Sequence, residues 1–308
     1  MRPLRGILYK LISVVCFILM SALIKATSAH VPAGQAVFFR SFFAIPVILV
    51  WLAYMGDLRE GLKVKSPLSH FFRGFIGTVS MALGFASLGY LPLPEVTILG
   101  YAAPLLTVIL AALVLGESVR LFRITTVILG LIGVLIVLAP RLTILSGGGG
   151  KTEAIGVALA LGAALCAAFA QITVRKMVAT EKTAAIVFYF SATSAILGLL
   201  TLPFGWVMPN LTEALIGIVT GILGGFGQIF LTSSYREADA SLVAPFDYAS
   251  IIFALGIGWY VFGEMPTLTM LSGAAVVIGS GILIIWREHY LGLERARQRK
   301  AMGPATKP

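Results

Sequence analysis

The sequence predicts an all-α integral membrane protein of ten transmembrane helices, arranged as two inverted five-helix repeats with both termini in the cytoplasm. Three observations point there: a charge-poor composition, a succession of helix-length apolar stretches, and a second half that repeats the first. Of 308 residues, 58% are apolar, 12% are charged and 33 are glycine. Soluble single-core domains are not composed this way. About 20 apolar residues in a helix cross a hydrocarbon core, and a stretch of that length satisfies its backbone there as helix.

The first half offers the apolar stretches 6–24, 34–54, 71–90, 96–115 and 124–139, and the second 154–174, 184–204, 214–232, 242–262 and 268–285. Arg2, Arg5 and the Thr27-Ser28-Ala29 run give the first stretch some likeness to a signal peptide. Its counterpart later in the chain favours a retained helix. Gly6, Cys16 and Lys25 recur as Gly156, Cys166 and Arg175 at an offset of 150, Tyr90 as Tyr235 at 145, and Gly116-Glu117 as Gly263-Glu264 at 147. Five stretches per half make the second copy enter the membrane from the opposite side, the plan of many secondary transporters. The expected organisation is therefore a first repeat over 1–139, a glycine-rich linker over 140–153, a second repeat over 154–286, and a basic tail over 287–308.

Lys and Arg set the orientation. With the N-terminus inside, nineteen fall on the cytoplasmic side and three, Lys25, Arg141 and Lys151, outside, leaving Arg40 alone within a stretch. The net charge of +10 is thus a topology signal, and nucleic acid is not an expected partner. The tail with Arg295, Arg297, Arg299 and Lys300 suits anionic lipid headgroups, or alternatively a protein partner. Trp51, Trp206, Trp259 and Trp286 lie near stretch ends, where amphipathic rings settle at the interface.

Enzymatic and cofactor chemistry is not expected. SGGGGKT in the linker ends like a phosphate-binding loop, but Leu145 stands where the pattern requires glycine. His30, His70 and His289 are scattered and show no metal-ligand spacing. Cys16 and Cys166 read as packing residues. No catalytic residues, cofactor or metal site are predicted.

Polar groups inside apolar stretches are the candidates for function. Arg40 either snorkels to headgroups or turns its fork toward an anionic group. Asp247 is the carboxylate placed clearly within a stretch. It either favours its helix N-terminus or pairs with a base such as Arg236, or else it meets a cation or proton. Pro104 removes a backbone bond and frees the carbonyl of Gly100 beside Tyr101, making Gly100 and Pro104 an expected helix break. Pro46 predicts a bend below Arg40, whereas Pro245 falls in a first turn, where proline is well tolerated. Gly217, Gly221 and Gly225 lead to Gln228 on one small-residue face, and Ala160, Ala164 and Ala167 lead to Gln171 on another; both faces are expected to point inward. The two amides either bind substrate or bond another helix. Each Gly-Glu pair reads as a corner, with glycine ending one helix and glutamate facing the next helix's N-terminus.

The five-plus-five repeat, RGFIGTVSMALGFASLGYLPLPEVTIL from Arg73, and the closing VLGE and VFGE together resemble the EamA-type transporters of the drug/metabolite transporter superfamily. APFDYASIIFALGIGWYVFGE is most similar to a bacterial group that includes S-adenosylmethionine and riboflavin transporters. The resemblance implies a bacterial inner-membrane location, alternating access around a central cavity and no ATP requirement. Two departures stand out: the family's proline is present as Pro104 but replaced by Ile251 in the second half, and Phe190 or Ser191 occupies the place corresponding to Arg40. The resulting expectation is a secondary transporter of a small polar or zwitterionic metabolite. Arg40 would hold an anionic group, Asp247 a cationic group or coupling proton, and Tyr101, Tyr248, Gln171 and Gln228 would line the cavity. A non-transporting scaffold or sensor, a passive pore and a lipid scramblase are the alternatives.

Overall fold

The computed structural model describes residues 3–115, 121–146, 151–178, 180–237 and 244–301. These residues are almost entirely helical, and helix occupies the apolar stretches read from the sequence. In the first half α1 (Pro3–Thr27) is followed by α2 (Ala33–Phe42), α3 (Ala44–Tyr54), a single turn α4 (Leu58–Gly61), α5 (Pro67–Leu88), α6 (Leu93–Gly100), α7 (Ala102–Leu115) and α8 (Leu121–Ser146). The second half comprises α9 (Lys151–Val178), α10 (Thr183–Leu199), α11 (Leu211–Glu237), a 3-10 turn over Ala244–Tyr248, α12 (Ala249–Phe262) and α13 (Leu268–Ala301). Among the described residues, five spans are long and apolar enough to cross a membrane: Leu4–Thr27, Ala33–Tyr54, Pro67–Leu88, Lys151–Val174 and Leu211–Ser234. Shorter apolar helices accompany them at Ile124–Pro140, Ala184–Leu199, Phe246–Phe262 and Leu268–Leu283.

Two interruptions share one cause. Proline at position i cannot donate to the carbonyl at i−4, and its ring crowds that carbonyl. Pro46 accordingly ends α2 at Phe42, with Phe43 between it and α3; Pro104 ends α6 at Gly100, with Tyr101 between it and α7. Tyr101 N–H falls back to a tighter bond on the Ile98 carbonyl at 3.0 Å.

The halves interlock reciprocally. Helix α1 packs along α11 while α5 packs along α9, α2 lies on α10, and α8 lies on α13. Glycine permits the closest approaches: a Cβ on Gly74 would fall 2.6 Å from Thr193 Cβ, and one on Gly198 would fall 2.8 Å from the Phe38 nitrogen. The central core joins both halves through Leu91, Ile98, Leu99, Ala160, Ala164, Ile251 and Val277.

Several sequence expectations need correction. Arg40 is not the lone basic residue within an apolar helix, because Lys10 and Lys25 belong to α1 and Arg73 lies six residues into α5. Lys10 and Arg73 fall within the stretches 6–24 and 71–90, near their N-terminal ends, and their charged groups sit inside the bundle rather than in a loop. The Glu264 corner is also different from that expected. Gly263 does end α12 in the left-handed region, at φ 67°. Glu264, however, accepts from Leu93 N–H at 2.9 Å, capping α6 of the other half, and meets Lys25 Nζ at 2.8 Å. Gly116-Glu117 lies outside the described residues. On α9 the alanines 160 and 164 are buried, but Gln171 is exposed.

Candidate substrate cavity

A cavity of about 330 Å³ lies between α1, α5, α6 and the junction of the 3-10 turn with α12. Its wall is largely apolar, with Val14, Phe17 and Ile18 from α1 and Met81, Phe85 and Leu88 from α5. Ser21, Thr97, Tyr101, Asp247 and Ser250 supply the polar positions. A mainly apolar concavity with a few convergent polar groups is the usual form of a small-molecule site.

The polar side is built where helices are broken. Tyr101, released by the Pro104 interruption, projects toward the 3-10 turn of the second half. Its hydroxyl donates to the Asp247 backbone carbonyl, and the Ser250 hydroxyl lies 2.9 Å away. Since the tyrosine has one proton and it is committed to that carbonyl, Ser250 acts as the donor in the second bond. The Tyr101 ring stacks on Tyr248 at 4.7 Å and 26° between planes. Tyr248 in turn reaches toward α13: a Cβ on Gly281 would stand 1.7 Å from its hydroxyl oxygen.

Asp247 pairs with Lys10 of α1, Oδ2 to Nζ 2.8 Å; the Arg236 side chain, the partner suggested by sequence, lies outside the described residues. The ammonium is 1% exposed while the carboxylate keeps 41% of its side-chain surface accessible. Lysine therefore serves as the buried anchor, and the carboxylate presents its free edge to the cavity. The short 3-10 turn places this anion just before the first residue of α12, where the helix dipole also favours negative charge.

The remaining candidates lie elsewhere. Arg40 is 2% exposed and does not border this cavity; such burial excludes snorkelling to headgroups. Gln171 accepts from Thr107 Oγ1 at 3.3 Å. Gln228 is partly buried on α11, whose Gly217, Gly221 and Gly225 stripe packs instead against Phe39, Phe43 and Val47. Pro104 is exposed, and its contribution is the break itself. Three contributors, Lys10, Ser250 and Ser21, escaped the sequence reading. Lys10 had a signal, a lysine seven residues into α1.

The EamA-like transporter family model matches this sequence twice, over residues 4–139 and 154–286. The chain belongs to the EamA-like transporter family. It is similar to the S-adenosylmethionine uptake transporter of Rickettsia prowazekii (strain Madrid E), 27% identical over 92% of this chain and 94% of that protein. It is also similar to the pseudopaline exporter CntI of Pseudomonas aeruginosa (strain UCBPP-PA14), 29% identical over 89% and 93% of the two chains. A crystal structure of a protein 20% identical in sequence superposes with a TM-score of 0.66, covering 93% of this chain and 98% of that one. The fold is thus shared with a solved protein, and the chain is a multi-pass membrane protein of a metabolite-transporter family.

Proposed function

We propose that this EamA-family chain is a secondary transporter that moves a small polar or zwitterionic organic metabolite across the bacterial inner membrane by alternating access. Ten helices would cross the membrane as two inverted repeats with both termini in the cytoplasm, the orientation favoured by the nineteen-to-three division of basic residues.

One observation carries the reading. The Asp247 carboxylate, anchored by buried Lys10, opens onto a cavity whose polar wall is assembled from interrupted helices of both halves. Broken helices at the interface of repeats are where transporters hold cargo and coupling ions. Asp247 meets the cationic group of the metabolite or a proton, while Tyr101 and Ser250 provide hydroxyls beside it. Bound cargo competes with Lys10 for the carboxylate, which gives the site a means of sensing occupancy. The named relatives include one uptake transporter and one exporter, so direction is a property to be measured for this chain.

Counterflow in proteoliposomes tests the proposal. Metabolites that raise the melting midpoint of the purified protein are candidates, and the transported one enters faster when unlabelled compound is loaded inside. Entry that ignores the loaded compound marks a pore; no entry of any stabilising metabolite marks a scaffold or sensor. Either result would end the carrier reading.

A further inference from the structure

The interior holds a second concentration of charge, away from the Asp247 cavity. Arg40 of α2 and Arg73 of α5 both reach the Phe190 ring of α10, their guanidinium carbons 5.5 and 4.3 Å from its centroid. Phe190 lies 150 residues after Arg40, the same offset that relates the halves. The repeat thus places an aromatic ring where a second arginine would have met the first.

The ring attracts both cations but accepts no N–H bonds in its plane. Arg40 Nε and Nη1, together with Arg73 Nε and Nη1, are buried without a hydrogen-bond partner among the described residues. The described residues also provide neither guanidinium with a carboxylate in ion-pair contact. Two like charges drawn from water toward one ring, with four N–H-bearing nitrogens unused, make a poor structural arrangement. Buried polar groups are otherwise partnered almost everywhere in proteins. An anion between or beside the two forks resolves the desolvation, the repulsion and the open donors together.

The surrounding packing holds the donors in place. A Cβ on Gly77 would fall 2.1 Å from Arg73 Nη1, so the guanidinium lies against bare helix backbone; one on Gly224 would fall 3.0 Å from Arg40 Nε. Along α5, Arg73, Gly77 and Met81 follow at helical spacing on one face, and Met81 borders the Asp247 cavity. The Arg73 guanidinium, lying against Gly77, is therefore about 6 Å along α5 from the level of Met81, at 1.5 Å per residue.

We propose that Arg40 and Arg73 form an anion site beside the cavity, shaped for a single small carboxylate. A guanidinium fork matches the two oxygens of a carboxylate in one plane, and the tight glycine-lined packing favours a compact anion. The proposal extends the transport reading by adding an anion subsite, but binding is measured without transport, so the two fail separately.

The test uses the purified full chain, with acetate as the carboxylate probe and chloride as control at equal ionic strength. Acetate is expected to raise the melting midpoint by several degrees in a saturable manner, with chloride giving little. Arg40→Lys and Arg73→Lys retain charge but lose the fork, and each is expected to weaken the apparent acetate affinity at least tenfold. Arg40→Gln and Arg73→Gln should abolish the response. Size-exclusion profiles identify any variant that has lost its fold, and the lysine pair then decides. No acetate-specific rise in the unsubstituted chain, an equal rise with chloride, or unchanged affinity in both lysine variants would overturn the site.

Discussion

Two of the charge clusters among the described residues are built in opposite ways. At the cavity, Lys10 and Asp247 stand 2.8 Å apart, one cation matched by one anion. Around Phe190, two guanidiniums share an aromatic ring, and buried nitrogens of each have no hydrogen-bond partner among the described residues. A matched pair contributes to the fold and loses stability when halved. An unmatched cluster weighs on the fold until an anion arrives, so its removal should be nearly harmless to an empty protein. Stability measurements therefore distinguish the two directly.

The largest effect is expected at the matched pair. Asp247→Ala removes the carboxylate from a lysine that is 1% exposed; breaking a buried pair this way costs about 3–5 kcal/mol. The carboxylate's 41% accessibility reduces that expectation to roughly 2–4 kcal/mol. Lys10→Met should cost less, since the remaining carboxylate still faces the cavity, and Lys10→Met with Asp247→Leu should recover most of the loss. Melting of the four proteins in detergent gives the coupling. Additive losses would break the contrast.

A second matched pair checks whether the rule is general. Lys25 and Glu264 are 2.8 Å apart, and Glu264 also caps α6 through Leu93 N–H. Glu264→Ala loses the pair and the cap together, about 2 kcal/mol. Glu264→Gln keeps an acceptor for Leu93 and should lose about half of that. Equal losses for the two variants would assign the whole effect to charge.

At the unmatched cluster the sign should change. Arg73→Met exchanges a desolvated cation for an apolar chain of similar length, and the melting midpoint in chloride buffer is expected to stay level or rise, within about 1 kcal/mol. Since the cation–π contact is worth roughly 0.5–2 kcal/mol, a loss within that range would make Phe190 alone a sufficient structural partner, and a larger one would break the contrast by showing that Arg73 is matched in the empty protein.

This contrast also marks the limit of what sequence could reveal. The Tyr101 interruption was legible because proline in an apolar run has a fixed local consequence, the lost bond to Gly100. Asp247 was legible because a carboxylate inside such a run is rare. Its partner was not, since the pairing joins α1 to the 3-10 turn and depends on how the halves interlock. Arg73 was concealed by a rule of thumb: basic residues at the edge of an apolar run count as loop, yet α5 begins six residues earlier, at Pro67. Arg40 was noticed, but that its neighbour would be Phe190 and a second arginine followed only from the packing of α2 and α5 on α10.

A third way of accommodating buried charge yields the smallest effect. Glu181, in the turn between α9 and α10, is 7% exposed. Burial acts to raise its carboxyl pKa, but the backbone N–H groups of Lys65 and Ser66, at 2.7–3.1 Å, and the His70 ring beyond them hold it below the ordinary 4.5. A depressed folded-state pKa stabilises the protein above the unfolded value, and that contribution disappears as pH falls through the folded one. The difference in melting midpoint between the unsubstituted chain and Glu181→Gln should thus be constant from pH 7 to about 5.5 and shrink below about 4.5. Asp247 meets a lysine ammonium, whereas Glu181 uses peptide dipoles alone for its closest bonds. If the difference stays constant down to pH 3, those N–H groups favour the acid and the carboxylate equally, and the turn is held by hydrogen bonding without charge.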